Sequence, residues 1–256
     1  MNAPLLEARD LHKSFGGGGW SRKPAIRAVD GVGLTVRPGE TLGIVGESGS
    51  GKSTLARMLV GLEEPTAGTV LIDDAEVGRR RSREIHRKVQ FVFQDPSGAL
   101  NPRKTISRIL EAPLIHLLGT PKPDRRRRVE ELMDLVNLRP EFLDRYPHEL
   151  SGGQAQRIGI ARALAADPRL IVLDEPVSAL DVSIQAQILN LLNQLKTDLG
   201  LAYVFISHDL AVVESLCDTV AVMHRGRIVE QAPRRTLFGA PKHPYTRTLL
   251  ASVPKF

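Results

Sequence analysis

The sequence predicts an α/β fold with a helical insert, and three observations carry that expectation. Short apolar runs of strand length alternate with stretches of helical spacing along most of the chain. A glycine-rich octapeptide, Gly46-Glu47-Ser48-Gly49-Ser50-Gly51-Lys52-Ser53, stands between one such strand and one such helix. From Pro96 to about Leu150 the texture changes: helical spacing dominates and prolines interrupt it.

The elements read off in order. Leu5 to Phe15 is a first strand with its exit loop, followed by the glycine run Gly16 to Gly19 as a hairpin tip. Val32, Leu34 and Val36 alternate as a strand does, and Arg37-Pro38-Gly39-Glu40 is a turn. Thr41 to Val45 is a short apolar strand feeding the octapeptide, with Ser53 to Leu62 as the helix behind it. Thr69 to Ile72 and Val89 to Phe93 are further strands. In the insert, Ile106, Ile109, Leu110, Leu114 and Leu117, then Val129, Leu132, Met133, Leu135 and Val136, fall at helical spacing. Prolines 113, 121, 123, 140 and 147 are expected to cut this stretch into pieces. Leu170 to Leu173 and Tyr203 to Ile206 read as buried strands separated by a helix from about Ser183 to Leu199. Val220 to Met223 and Arg227 to Glu230 read as a late hairpin.

Composition narrows the class. The 256 residues are 42% hydrophobic and 25% charged, which is ordinary for a globular protein that buries a core. No apolar stretch approaches the roughly 18 residues of a membrane helix, and the first ten residues do not read as a secretory signal. A single cysteine, Cys217, excludes an internal disulfide and cysteine-rich metal sites. These features point to the cytoplasm. The net charge of +6 includes two arginine runs, 79–81 and 125–128. Neither has the interleaved aromatics that stack on bases, so they read as a solvated loop and a solvated helix start rather than a nucleic-acid surface.

The octapeptide matches G-x-x-x-x-G-K-S, a cradle whose backbone amides and helix N-terminus bind phosphate oxygens. Lys52 is expected to reach the β- and γ-phosphates, and the Ser53 hydroxyl to coordinate Mg²⁺. Leu170-Ile171-Val172-Leu173-Asp174 is an apolar strand ending in a carboxylate, and a buried strand does not carry an unpaired charge at its tip without reason. Asp174 therefore fits a Mg²⁺-organising role. Leu150-Ser151-Gly152-Gly153-Gln154 precedes the helical run Ile158, Ile160, Ala161 and Leu164, which argues against a loose linker.

The cradle, the Leu150–Gln154 pentapeptide and the Asp174-Glu175 strand end, in this order, resemble the ATP-binding-cassette ATPases, the motor subunits of ABC transporters. The resemblance covers nearly the whole chain. It implies an α/β, RecA-like P-loop core (1–94 and 158–230) with an antiparallel β-subdomain, an inserted helical subdomain (95–157) and a C-terminal tail (231–256), together one nucleotide-binding domain. It implies that ATP and Mg²⁺ bind at Gly46, Glu47, Ser48, Gly49, Ser50, Gly51, Lys52, Ser53 and Thr54. Glu175 would orient or deprotonate the attacking water. Gln94 would contact Mg²⁺ and that water, and His208 would sense the γ-phosphate. Ser151, Gly152, Gly153 and Gln154 would bind the γ-phosphate held on a second ATPase subunit, and Asp181 would cross the interface between the two. Phe15 takes the place of the adenine-stacking aromatic, with Trp20 as its rival.

More local stretches, Phe91-Val92-Phe93-Gln94-Asp95-Pro96, Leu100-Asn101-Pro102-Arg103, Tyr146-Pro147-His148-Glu149-Leu150 and His243-Pro244-Tyr245-Thr246, resemble the ATP-binding subunits of dipeptide, oligopeptide and nickel importers. The resemblance implies ATP hydrolysis energising peptide import, with nickel or a metal chelate as the alternative cargo. The implied partners are transmembrane permease subunits, a second ATPase chain (identical or different) and, indirectly, a solute-binding protein; the implied place is the cytoplasmic face of the inner membrane. Such subunits often continue into a tail with clustered cysteines, so a chain with Cys217 alone is expected to lack a regulatory iron–sulfur or metal tail. A soluble cassette ATPase working on nucleic acid or ribosomes is the other class; such proteins usually carry two cassettes or a long coiled-coil insert, and this sequence has neither. A kinase or GTPase is disfavoured by the pentapeptide and by the missing Asn-Lys-x-Asp motif.

Overall fold

A computed structural model describes residues 3–16, 26–77 and 82–252. Gly17 to Gly19, Trp20 and the arginine run 79–81 lie outside the described residues. Strands β1 (Leu6–Phe15), β2 (Ile26–Val36) and β3 (Thr41–Val45) precede helix α1 (Lys52–Leu59). Next come β4 (Ala67–Ile72), β5 (Ala75–Glu76), α2 (Arg83–Lys88) and β6 (Val89–Val92). The helices α3 (Pro96–Ala99), α4 (Ile106–Pro113), α5 (Lys122–Leu135) and α6 (Gly152–Leu164) follow, then β7 (Leu170–Asp174) and α7 (Val182–Leu199). The chain continues through β8 (Ala202–Ile206), α8 (Leu210–Leu216), β9 (Thr219–His224), β10 (Arg227–Pro233), α9 (Arg234–Gly239) and α10 (Pro244–Ala251).

The chain divides into two compact units, Met1–Arg80 with Ala202–Phe256, and Arg81–Leu201. In the first, β2-β1-β4-β5 form an antiparallel sheet. Its alternation is the one the sequence predicts: Val32, Leu34 and Val36 are buried while Gly31, Gly33 and Thr35 are exposed. A second sheet in the same unit runs β10-β9-β3-β8. Here β3 pairs in parallel with β8 on one edge and β9 on the other, and β10 returns antiparallel to β9. Every residue of β3 is buried, as expected of an inner parallel strand covered on both faces. The Arg37–Glu40 turn closes through Glu40 N–H to Arg37 O and Arg37 N–H to the Glu40 carboxylate.

In the second unit β6 and β7 pair in parallel, Val89 opposite Leu170 through Val92 opposite Leu173. The helices bury the apolar residues that their spacing picks out: Ile106, Ile109 and Leu110 of α4, Val129, Leu132 and Met133 of α5, and Ile158, Ile160 and Ala161 of α6. Two prolines do not cut the helices as expected. Pro113 ends α4, and the chain runs on through a π-helical turn at Leu114–Leu118. The bond that Pro113 cannot donate falls inside α4, on the turn before it, and the π turn follows the proline. Pro123 lies in the first turn of α5, where no intrahelical acceptor is lost. Pro140 and Pro147 do mark breaks, each opening a short 3₁₀ turn. The arginine run 125–128 lies on α5, where Arg126 pairs with Glu130 and Arg128 with Glu131 at 2.9 Å. These exposed pairs solvate a helix face and contribute little to stability.

Cys217, just after α8, is a buried thiol that fills space over the glycine of β3. A Cβ on Gly43 would stand 2.8 Å from Cys217 Sγ and 2.9 Å from Val213 Cγ1. Overpacking a filled core costs typically 1–3 kcal/mol. Gly43→Ala is therefore expected to lose about 1–3 kcal/mol in urea unfolding, and adding Cys217→Ala to recover part of it.

Candidate nucleotide-binding site

The cradle emerges where β3 ends and α1 begins, with its glycines in backbone conformations that L side chains rarely adopt. Gly46 has φ +153° and Gly51 φ +104°; a Cβ on Gly46 would lie 2.1 Å from Met223 O, and one on Gly51 2.0 Å from Ala28 O. No side chain fits at either position, which is the physical reason for glycine there. The loop is closed from within by Ser50 N–H to Glu47 O at 3.2 Å, and from behind by Gly226 N–H to Ser50 O at 2.9 Å. Gly226 O in turn accepts Asp30 N–H at 2.8 Å, so the β9–β10 turn and β2 both brace the loop.

Lys52 lies across this loop. Its ammonium donates to Gly46 O and to Glu47 O, each at 2.8 Å, and the side chain is buried. Helix α1 starts without a side-chain cap, and the first amides of any helix have no acceptor inside it, so this terminus presents donors to an anion. Ser50 Oγ is buried with no hydrogen-bond partner among the described residues. A closed loop with inward donors, a buried cation and an orphan hydroxyl suits a phosphate chain.

The other residues expected at the site in this unit are placed as follows. Ser53 and Thr54 lie in the first turn of α1. Glu47, Ser48 and Gly49 form the exposed rim of the loop. His208 is exposed between β8 and α8, on a loop set by Ser207 N–H to Ile44 O and by Asp209, which caps α8 through Ala211 N–H at 2.9 Å. Phe15 ends β1 and is 42% exposed, with the Lys13 ammonium 5.2 Å from its ring centre. Trp20 lies outside the described residues.

In the second unit the structure brings Gln94 and Glu175 together. Asp174 is the buried last residue of β7, and Glu175 follows with φ +48°, a conformation strained for a side chain of this size. Gln94 Nε2 donates to Glu175 Oε2 at 3.2 Å and to Ser178 Oγ at 3.4 Å, while Ser178 Oγ donates to Glu175 O at 3.1 Å. The strained backbone aims the carboxylate and the Gln94–Ser178 pair holds it there. Ser178 is a positioning group that a pattern of residues does not reveal.

The pentapeptide is a capped helix start. Ser151 is the N-cap of α6: its hydroxyl accepts Gln154 N–H at 3.4 Å, and Gln154 Oε1 accepts Ser151 N–H at 2.9 Å, a reciprocal capping box. The two glycines have a local reason as well. A Cβ on Gly152 would meet Leu180 Cδ2 at 3.3 Å, and one on Gly153 would meet Ile184 Cγ2 at 2.6 Å. Asp181 is the exposed N-cap residue of α7, with no side-chain capping bond. Further along α6, Arg162 donates to Ala99 O at 2.7 Å and faces the Phe93 ring; burial pushes its guanidinium below its ordinary value.

Sequence reading assigns no role to Tyr245, yet its hydroxyl accepts Glu47 N–H at 3.2 Å. The local signals are the His243-Pro244-Tyr245-Thr246 stretch, which carries a resemblance, and its proline, which marks a helix start; neither reveals a contact with a loop 198 residues away in the chain.

The capping box is testable by itself. Ser151→Ala is expected to lose about 1 kcal/mol of unfolding free energy, and Ser151→Thr much less, in chemical denaturation.

The comparisons with known proteins give the family. Residues 29–178 match the ABC transporter family, and residues 229–256 match the family described as "Oligopeptide/dipeptide transporter, C-terminal region". The oligopeptide transport ATP-binding protein OppF of Bacillus subtilis is 48% identical over 99% of this chain and 84% of its own length. The dipeptide transport ATP-binding protein DppF of Haemophilus influenzae is 49% identical over 99% of this chain and 79% of its own. Among solved structures, the ATP-binding cassette MJ0796, seen as a dimer bound to ADP and Pi, superposes with a TM-score of 0.80 at 32% identity, over 90% of this chain and 99% of that one. The chain belongs to the ABC transporter family, as one of its ATP-binding, ATP-hydrolysing cassettes.

Proposed function

We propose that this ATPase energises the import of dipeptides and oligopeptides through membrane permease subunits. The observation that carries the reading is the C-terminal segment: residues 229–256 match the oligopeptide/dipeptide transporter C-terminal region, and relatives near 50% identity are named for peptide transport. The same match favours peptides over nickel or a metal chelate. No helix among the described residues is long and apolar enough to cross a membrane, so the passage itself belongs to partners. We place the chain on the cytoplasmic face of the membrane, paired with a second ATPase chain. Segments 95–157 and 231–256 are taken as a helical subdomain and a tail of one nucleotide-binding domain.

In this reading the Gly46–Thr54 amides and Lys52 bind the phosphates of ATP. Ser53 and Asp174 offer the hard oxygen donors that suit Mg²⁺, which takes few protein ligands and fills its shell with phosphate and water. Among the described residues no group of three or more His, Cys, Asp or Glu forms a self-sufficient metal cage, in keeping with that kind of site. When bound, Mg²⁺ neutralises charge developing on the phosphates. Glu175 accepts the proton of the attacking water, and Gln94 and Ser178 keep its carboxylate aimed. His208 senses the terminal phosphate. Ser151, Gly152, Gly153 and Gln154, with Asp181, face the nucleotide of the second ATPase chain.

Glu175→Gln keeps the shape and an acceptor for Gln94 but removes the base. ATP titration should find its affinity retained while turnover falls by roughly 10²–10⁴. Lys52→Ala should instead weaken ATP binding about ten- to a hundredfold. Normal hydrolysis by the glutamine variant, or unchanged affinity in the alanine variant, overturns the assignment. Transport of a labelled peptide by vesicles carrying the full assembly tests the cargo.

Adenine is assigned to Phe15. Stacking reads a ring face rather than a base edge, so Phe15→Ala should weaken ATP and GTP alike in titration. Unchanged affinity there, with loss in Trp20→Ala, transfers the role to Trp20.

A further inference from the structure

The C-terminal helix reaches the phosphate cradle through one side chain. Tyr245 accepts the Glu47 N–H at 3.2 Å. The carbonyl of that same peptide unit, Gly46 O, accepts the Lys52 ammonium at 2.8 Å. A peptide is planar, so its N–H and C=O point in opposite directions and turn together. Tyr245 on one side and Lys52 on the other therefore grip a single plate. The plate hinges on Gly46, a residue with no Cβ to limit its rotation. Without a partner on the Glu47 side, this peptide loses one of the two contacts that set its orientation, and Gly46 O can turn away from Lys52.

The tyrosine is itself held from three directions. Its ring lies 3.8 Å from the His224 ring at 33°. His224 ends β9, next to Met223, whose carbonyl bears on Gly46. The Tyr245 N–H donates to His243 Nδ1 at 3.2 Å, the cap of α10. The start of α10 is anchored by the Glu230 carboxylate of β10, which accepts Lys242 N–H at 2.8 Å and His243 N–H at 2.9 Å. Burial first, and then the Glu47 carboxylate, outweigh the opposing effect of the Glu47 N–H and push the Tyr245 phenol above its ordinary value. It is a neutral hydroxyl throughout the physiological range.

We propose that Tyr245 is a positioning residue for the phosphate cradle: its hydroxyl fixes the Gly46–Glu47 peptide in the orientation that gives Lys52 its carbonyl acceptor, so the C-terminal segment sets nucleotide affinity. This rests on the cradle assignment above. The alternative role is plain docking of α10, for which the ring suffices.

Tyr245→Phe separates the two, since it keeps the ring on His224 and removes only the hydroxyl, which accepts the Glu47 N–H and faces the Glu47 carboxylate. The full-length chain is titrated with ADP, which binds without turnover. The expected result is a Kd weaker by about fivefold, the value of one ordinary hydrogen bond at ~1 kcal/mol. The thermal midpoint of the nucleotide-free protein should fall by no more than the roughly 2–4 °C that one hydrogen bond is worth in a chain of this size, and hydrogen exchange at the Glu47 amide should speed up. Tyr245→Ala, which loses the ring too, should show the weaker Kd together with a lower midpoint. Wild-type affinity in Tyr245→Phe overturns the proposal. So does a weakened Kd that comes with a midpoint lowered as far as in Tyr245→Ala, which assigns Tyr245 to docking alone. Failure of the wild-type chain to bind ADP overturns the cradle assignment instead.

Discussion

Two backbone carbonyls pressed against two glycines are the constraint from which the phosphate loop takes its shape. Met223 O leaves no room for a Cβ at Gly46, and Ala28 O none at Gly51. These contacts lock the loop against β9 at one end and β2 at the other. The hydrogen bonds from Gly226 to Ser50 and from Asp30 to Gly226 complete the brace. A loop of polar amides facing an anion gains nothing from a hydrophobic core of its own. Its rigidity has to come from backbone it touches, and glycine is the residue that allows touching at this range. Lys52 then finds two carbonyls at 2.8 Å, and its buried charge is satisfied in advance of any ligand.

The other unit solves a different problem, the aiming of a carboxylate. Glu175 follows a fully buried strand, and its left-handed φ turns the side chain out of the line of that strand. Strain of this kind persists where neighbours over-determine the conformation. Gln94 and Ser178 do so here, one holding the carboxylate and the other the backbone. The Gly152-Gly153 pair shows how one sequence feature answers two demands. Small residues leave the start of α6 open to an anion, and they let it pack on Leu180 and Ile184. A substitution there reports on both demands at once, whereas the capping hydroxyl of Ser151 is separable from the packing.

The C-terminal segment brings these observations to the protein's working role. Residues 229–256 carry the mark of peptide transporters. They also carry Glu230, His243 and Tyr245, which link a sheet edge to the cradle by way of a capped helix. A segment that matches the C-terminal region of peptide transporters is thus in hydrogen-bond contact with the glycine-rich loop. That contact runs through the Glu47 backbone amide, with the Glu47 carboxylate acting on the same hydroxyl.

Much of this protein was legible in its residues. Periodicity marked the strands and most helices, because a covered strand must be continuously apolar and a packed helix must repeat its apolar face. The octapeptide, the strand-end Asp174 and the Ser151-to-Gln154 start were legible because phosphate binding and helix capping use contacts between residues close in sequence. Pro113 was misread as a break because one missing N–H costs a helix a single bond, and propensity alone does not say whether the chain runs on past it. The pairing of Gln94 with Glu175, the carbonyls behind Gly46 and Gly51, the thiol over Gly43 and the reach of Tyr245 to Glu47 came only from the tertiary structure. Each joins residues from different elements, 23 positions apart for Ala28 and Gly51 and 81 to 198 for the rest, and no local pattern encodes which distant atom will arrive. What the sequence by itself determined was the kind of chemistry and the fold that carries it. What tertiary packing decided was the orientation of the groups, because orientation is set by the neighbours that restrict a peptide or a side chain, and those neighbours are assembled only when the chain folds.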